Sequence, residues 1–343
     1  MLSTMITIGI VVLASGSIAA GLIIALRPLL VRYALARPNA RSSHTIPTPQ
    51  GGGIAVFASA CLLSSIALLF LSPPVSTSEV AVLGAAALAL AVIGGVDDLR
   101  PLPPLIRIVF QAIAVAAVVI ASDEHRVLPE AVPLWVERAS LVFAGVWFVN
   151  VVNFMDGIDW ITVAEVVPIA AAVALLGAAG LIPSWIALLG AALLGAMLGF
   201  APFNRPVAKL FLGDVGSLPI GLLVGWMLLK LAAMGALAAA VLLPLYYVAD
   251  ATITLLRRLA RGERVWEAHR HHFYQQAIDR NGFSVTAVVS HVFVLNLALA
   301  ALAVMTLVWT SWPAQLAAVI AGGALVTSVL RRFATARSIQ VAA

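Results

Sequence analysis

Charge is what this chain has least of. Asp, Glu, Lys and Arg make up 10% of its 343 residues, against 62% hydrophobic ones. Soluble domains carry about 25% charged residues, so a water-exposed globular exterior is excluded for most of the chain. Cysteine is nearly absent. A single thiol, Cys61, rules out an intrachain disulfide and leaves the compartment to be read from topology. No basic stretch precedes the first apolar run, which is uncharged from Met1 to Leu26 and too long for a cleaved signal's core. Internal repeats, low-complexity tracts and a recognisable soluble domain are also missing. The net charge of +5 is no nucleic-acid signal here, because basic residues in such chains mark cytoplasmic loops. No nucleic-acid partner is expected.

What remains is apolar sequence in membrane-sized blocks. A helix needs about 20 apolar residues to cross the hydrocarbon. Candidates fall at 3–26, 51–71, 79–96, 105–121, 139–152, 161–179, 184–200, 216–234, 236–256, 285–309 and 313–330. The expected fold is therefore an all-α polytopic membrane protein of about eleven spans, forming a single integral-membrane domain over 1–343. Gly195-xxx-Gly199 and Gly221-xxx-Gly225 read as close-packing helix faces. With eleven spans, alternate loops on one side hold 17 of the 20 Lys and Arg residues; Arg126, Arg138 and Lys230 are the exceptions. The positive-inside rule makes that side cytoplasmic.

Five polar motifs gather on the same side. "GGVDDLRPLPP" puts Asp97 and Asp98 at a helix C-terminus, where acids oppose the macrodipole. Neighbours on a helix point about 100° apart, so the two serve different partners. "NFMDGIDW" spaces Asn153, Asp156 and Asp159 at i, i+3, i+6, on one helical face. "LFLGDVGS" places Asp214 between glycines before a helix, with Ser217 opening it. Such a turn can cradle phosphate, and a hard carboxylate there suits Mg²⁺. "EAHRHHFYQQ" carries His269, Arg270, His271 and His272 in a basic loop with Arg257, Arg258, Arg261 and Arg264; phosphate contacts fit it better than zinc, since no cysteine is near. "PTPQGGG" opens a helix through Gly51, Gly52 and Gly53. Each motif alone has a bland reading: a solvated helix end, a glycine turn, positive-inside charge. Charges at the membrane edge are functional by default, and five such loops converging outweigh solvation. His291 reads as structural, while Glu165 and Asp250 are left open.

In this order the motifs resemble the polyprenyl-phosphate N-acetylhexosamine-1-phosphate transferase superfamily, over residues 41–276. The resemblance implies transfer of a sugar 1-phosphate from a UDP-N-acetylhexosamine to undecaprenyl phosphate, with UMP leaving, at the cytoplasmic face of a bacterial inner membrane. It implies Mg²⁺ on Asp214, with Asn153 as a further oxygen ligand. It also implies Phe211 stacked on uracil, Asp159 bonded to it and Asp156 orienting the nucleotide. Asp97 and Asp98 would lie near the lipid phosphate, with Asp97 as a candidate base. His271, His272 and Arg270 would bind phosphates, and Gly52 and Gly53 would close the nucleotide pocket. A homodimer is left open. Three positions depart from the family: Trp160 stands where many members have a second glycine, Arg270 replaces a third histidine, and His44 replaces a lysine. They favour the initiators of envelope polysaccharides over the phospho-MurNAc-pentapeptide translocase. A secondary transporter is the rival outside the family. Transporter sites sit at the midplane between repeats, whereas these acids sit at helix ends.

Overall fold

The computed structural model describes residues 2–36, 47–71, 76–122, 126–264 and 269–335. His44 and the first part of the 41–53 motif lie outside the described residues, as do 265–268. Among the described residues the chain is helical apart from a two-stranded antiparallel ribbon, β1 (Leu35–Ala36) with β2 (Thr48–Pro49). Nine helices among the described residues are long and apolar enough to cross a membrane: α1 (Leu2–Tyr33), α2 (Gly52–Leu71), α3 (Thr77–Leu99), α4 (Pro104–Ala121), α5 (Leu134–Met155), α6 (Ile161–Ala178), α8 (Asp214–Ala233), α12 (Val285–Val308) and α13 (Trp312–Ala334). A tenth apolar helix, α7 (Ser184–Phe200), has 17 residues. The protein is a multi-pass membrane protein.

The expected span 236–256 differs. It is two helices, α9 (Leu237–Leu242) and α10 (Leu245–Ala260), broken at Leu243 and Pro244. Proline has no N–H to donate and its ring clashes with the carbonyl four residues back. The second piece also runs past the apolar block. Tyr246, Asp250, Thr254 and Arg258 recur every fourth residue on its buried face, a polar stripe that hydropathy alone hides. A short helix, α11 (Phe273–Asp279), follows the histidine loop.

The glycine pairs behave as small-residue faces. A Cβ on Gly195 would come within 2.2 Å of the Val12 carbonyl oxygen, and one on Gly199 within 2.3 Å of that of Gly16, so α1 and α7 touch backbone to backbone. Gly221 and Gly225 seat α8 against Val149 and Phe148 of α5.

Helices α3, α4, α5 and α8 carry polar groups at both ends. At the end away from the motifs, Glu79 accepts from Lys230 (2.6 Å), Ser122 (2.7 Å) and Trp226 (3.0 Å). Glu137 there pairs with Arg126 at 2.7 Å. Lys230 and Arg126, which break the charge asymmetry, are thus paired with acids.

Candidate functional site

The site is assembled where α8 begins. The first N–H groups of a helix have no internal partner, and at α8 a side chain from 116 positions earlier supplies the acceptor. Asp98 Oδ1 accepts from the Asp214 N–H at 2.9 Å, and Asp98 Oδ2 from the Val215 N–H at 3.0 Å. Gly213, at φ 77°, leaves the room: a Cβ there would sit 2.5 Å from Asp98 Oδ2. Gly94 does the same one turn back in α3, where a Cβ would lie 2.2 Å from the Asp214 carbonyl oxygen.

Asp97 meets other donors, although its side chain also lies against the Asp214 carboxyl. Its Oδ1 accepts from the Leu102 N–H at 2.6 Å and its Oδ2 from the Arg107 guanidinium at 2.8 Å. The same Arg107 nitrogen lies 3.7 Å from Asp214 Oδ2. Arg107 therefore stands between two acids of the site. In sequence Arg107 stands out only as a lone cation just inside an apolar span, after the Pro-rich turn.

Asn153, at the end of α5, faces the same point. Its Nδ2 donates to Asp214 Oδ1 at 2.7 Å and to Ser217 Oγ at 3.0 Å. Asp156 caps the end of α5 and accepts from the Thr162 hydroxyl. Burial pushes its carboxyl up to about 7, with Asp98 and Asp159 adding repulsion. Asp159 Oδ2 turns to the 201–213 loop and accepts from the Ala208 N–H at 3.0 Å. Trp160 has φ 65°, the left-handed region that favours glycine. The departure from the family's glycine is thus a tryptophan in a glycine's conformation. It is held by its N–H on Asn204 (2.7 Å) and its indole N–H on the Ala201 carbonyl (2.6 Å).

Gly52 and Gly53 donate their N–H groups to the Phe211 and Leu212 carbonyls at 2.9 and 2.8 Å. A Cβ on Gly53 would reach within 2.2 Å of Gly216 Cα. These glycines are where α2 and α8 meet, and they fix the backbone beside Phe211. Phe211 closes the arrangement through its N–H on the Pro49 carbonyl. Gln50, unmarked in the sequence, donates to the Asp98 carbonyl at 2.6 Å.

The histidine loop is held by α10. Asp250 is fully buried and accepts from the Phe273 and Tyr274 N–H groups at 3.0 and 3.2 Å, with His272 Nδ1 at 3.3 Å. It serves α11 as Asp98 serves α8. Arg270 forms a two-point pair with Asp279, at 2.9 and 2.7 Å, which raises its pKa. Burial pushes the His269 imidazole down to about 3, with the charges of His272, Arg258 and His271 adding to the shift. His271 faces Glu263 at 3.5 Å and lines a polar cavity of about 130 Å³ with Arg257, Arg258, Arg261 and Arg280. Tyr274 ties this loop to the α5 end through its hydroxyl on the Phe154 carbonyl, 3.3 Å. His291 is structural, edge-on to Phe283 and Phe333.

The residues present fit Mg²⁺. Among the described residues no three His, Cys, Asp or Glu side chains cluster closely enough to form a cage. Mg²⁺ instead keeps waters and takes one or two carboxylates plus phosphates. Asp214 presents a carboxylate, whereas Asn153 turns its amide NH₂ toward it and would have to rotate to offer its oxygen to a metal.

Comparison with known proteins gives the context. Residues 80–232 match the model of glycosyl transferase family 4. The chain is 32% identical over 220 residues to the decaprenyl-phosphate N-acetylglucosaminephosphotransferase of Mycolicibacterium smegmatis, covering 58% of this chain and 54% of that one. The Mycobacterium tuberculosis (strain CDC 1551 / Oshkosh) protein of the same name is 32% identical over 211 residues, 56% and 52% of the two chains. The phospho-N-acetylmuramoyl-pentapeptide-transferase of Limosilactobacillus fermentum is 39% identical over 88 residues, 25% and 27%. The chain spans about half the length of the first two relatives.

Proposed function

We propose that this chain, whose residues 80–232 match glycosyl transferase family 4, moves an N-acetylhexosamine 1-phosphate from a UDP-sugar onto undecaprenyl phosphate. An oxygen of the acceptor phosphate attacks the β-phosphorus. The bond from that phosphorus to the bridging oxygen breaks, and UMP leaves with the electron pair. Such a transfer asks the protein for positioning and charge neutralisation rather than covalent chemistry.

The observation that carries this reading is Asp214, at the start of α8, between the amide of Asn153 and the guanidinium of Arg107. Asp214 and Asn153 would hold Mg²⁺, which when bound neutralises the diphosphate. Asp98 keeps Asp214 in place through the two α8 N–H groups, and Asp97 restrains Arg107. Phe211 offers its ring to uracil; Asp159 and Asp156 line the nucleotide side. His271 and the arginine-lined cavity take phosphate charge. His272, against Asp250, and Arg270, against Asp279, shape the loop. For the acceptor's tail, an apolar cavity of about 350 Å³ lies between α4, α5, α8, α9 and α10, with Phe148, Gly221, Pro244 and Val248 in its walls. The motif face is cytoplasmic in this reading, in a bacterial inner membrane, and the product starts an envelope polysaccharide.

The test is UMP release by purified protein with Mg²⁺, undecaprenyl phosphate and a panel of UDP-sugars. Turnover with a UDP-N-acetylhexosamine is expected. Turnover with UDP-MurNAc-pentapeptide alone would transfer the protein to the peptidoglycan reaction, and no turnover with any donor would defeat the proposal.

A further inference from the structure

Inside the apolar helix α6 lies one carboxyl group that the proposed transfer does not use. Glu165 is 2% exposed and Asn296 of α12, beside it, 1%. Asn296 Nδ2 donates to Glu165 Oε2 at 2.6 Å and to the Ala164 carbonyl at 3.0 Å. The Tyr247 backbone N–H also donates to the Glu165 carboxyl. Two buried oxygens are left over, Glu165 Oε1 and Asn296 Oδ1, and neither has a hydrogen-bond partner. Both are acceptors when the carboxyl is ionised. A buried acceptor without a donor is costly, and a buried unpaired charge more so. Among the described residues no basic side chain is bonded to Glu165, and the ionisable groups around it are Tyr246, Tyr247 and, beyond them, Asp250, Asp156 and Tyr274.

One proton resolves all of this. A carboxylic acid and a primary amide close a ring: the amide N–H meets one acid oxygen, and the acid O–H meets the amide oxygen. We propose that Glu165 is carried as the neutral acid, its proton on Oε1 directed at Asn296 Oδ1, and that this acid–amide pair is a positioning element for the site.

The route to the site is short. Pro244 gives α10 no side-chain cap, so the early N–H groups of that helix lack partners, and Glu165 takes the one from Tyr247. The Tyr247 hydroxyl lies 3.3 Å from Thr162 Oγ1, whose hydroxyl donates to Asp156. One turn along α10, Asp250 holds the start of α11 and its histidines. The pair therefore fixes the half-helix that bears on both Asp156 and the histidine loop.

The test begins with Glu165→Gln, which makes the neutral state permanent. Its NH₂ can donate to Asn296 Oδ1 while its carbonyl accepts from Asn296 Nδ2 and Tyr247. Wild-type thermal stability and turnover within about threefold are expected, with an unchanged pH profile. Glu165→Leu strands Asn296 and the Tyr247 N–H, and should lose about tenfold or more in turnover and melt earlier. The exchange Glu165→Gln with Asn296→Asp rebuilds the ring in reverse and should outperform Asn296→Asp alone. The turnover readouts rest on the transferase reading, so infrared spectra of the resting protein decide independently of activity. The carboxylic-acid carbonyl absorption of wild type at neutral pH should contain a band, beside that of Asp156, which Glu165→Gln lacks. Absence of that band from wild type, or a Glu165→Gln variant as damaged or as poorly folded as Glu165→Leu, overturns the proposal. So would a monovalent-cation requirement for wild-type stability that Glu165→Gln abolishes, since that puts a cation where the proton is assigned.

Discussion

Removing the charge of Asp97 should weaken the proposed Mg²⁺ site at Asp214, whose carboxyl it neighbours. Arg107 is shared between Asp97 at 2.8 Å and Asp214 at 3.7 Å. In Asp97→Asn the guanidinium loses its nearer anion and moves onto Asp214. Shortening that separation from 3.7 to 2.8 Å, at an effective dielectric of about 20, strengthens the pair by about 1.4 kcal/mol. The three side chains are each less than a third exposed, so the solvent screens this only in part. Mg²⁺ must then displace a better-held cation, and its apparent affinity should fall about tenfold. The assay is the Mg²⁺-dependent rise in melting temperature of the purified protein, which follows metal occupancy without requiring turnover. The Mg²⁺ concentration for half-maximal UMP release should move in parallel. Arg107→Gln alone should raise the apparent affinity, and Asp97→Asn with Arg107→Gln should recover it. An Asp97→Asn variant with unchanged Mg²⁺ response and a lowered kcat would refute the reasoning and place Asp97 at the reacting phosphate. Failure of the double variant to recover metal binding would refute it equally.

Asp98→Ala leaves the Asp214 and Val215 N–H groups without their acceptor; at about 1–3 kcal/mol for each stranded group, denaturation in detergent should show a loss of about 2–6 kcal/mol, and a variant as stable as wild type would remove the capping role. Gly94→Ala drives a methyl to within 2.2 Å of the Asp214 carbonyl oxygen; UMP release and Mg²⁺ response should both fall while helical circular dichroism is kept, and wild-type turnover would show that α3 and α8 can part without cost. The folded state keeps His269 neutral down to about 3, against 6.5 in the unfolded chain. Between those pH values the unfolded chain binds the extra proton, so this histidine's contribution is full above 6.5 and is lost as pH falls toward 3. His269→Gln should therefore lose less melting temperature on acidification through that window, and parallel curves would contradict it.

By itself the sequence determined the membrane class, most of the apolar helices and the set of motifs that come together at one end of them. These follow from composition and from charge bias, which are properties of short stretches and need no knowledge of neighbours. It also singled out Asp97, Asp98, Asn153, Asp156, Asp159 and Asp214, because polar groups at the ends of apolar helices stand out against their surroundings. Only the tertiary structure decided which partners they meet. Asp98 is 116 residues from the N–H it accepts, and Asp250 meets Phe273 across a loop; no local pattern encodes such caps. The split of 236–256 was half legible, since Pro244 was visible, but the polar stripe of α10 was lost in its average hydropathy. Arg107 looked like topology until the fold set it between two acids, and Glu165 was undecided until Asn296 of α12 came beside it. Burial turns such meetings into chemistry. An acid, an amide or a guanidinium acquires its role from the partner that replaces water, and that partner is chosen by the packing of helices distant in the chain.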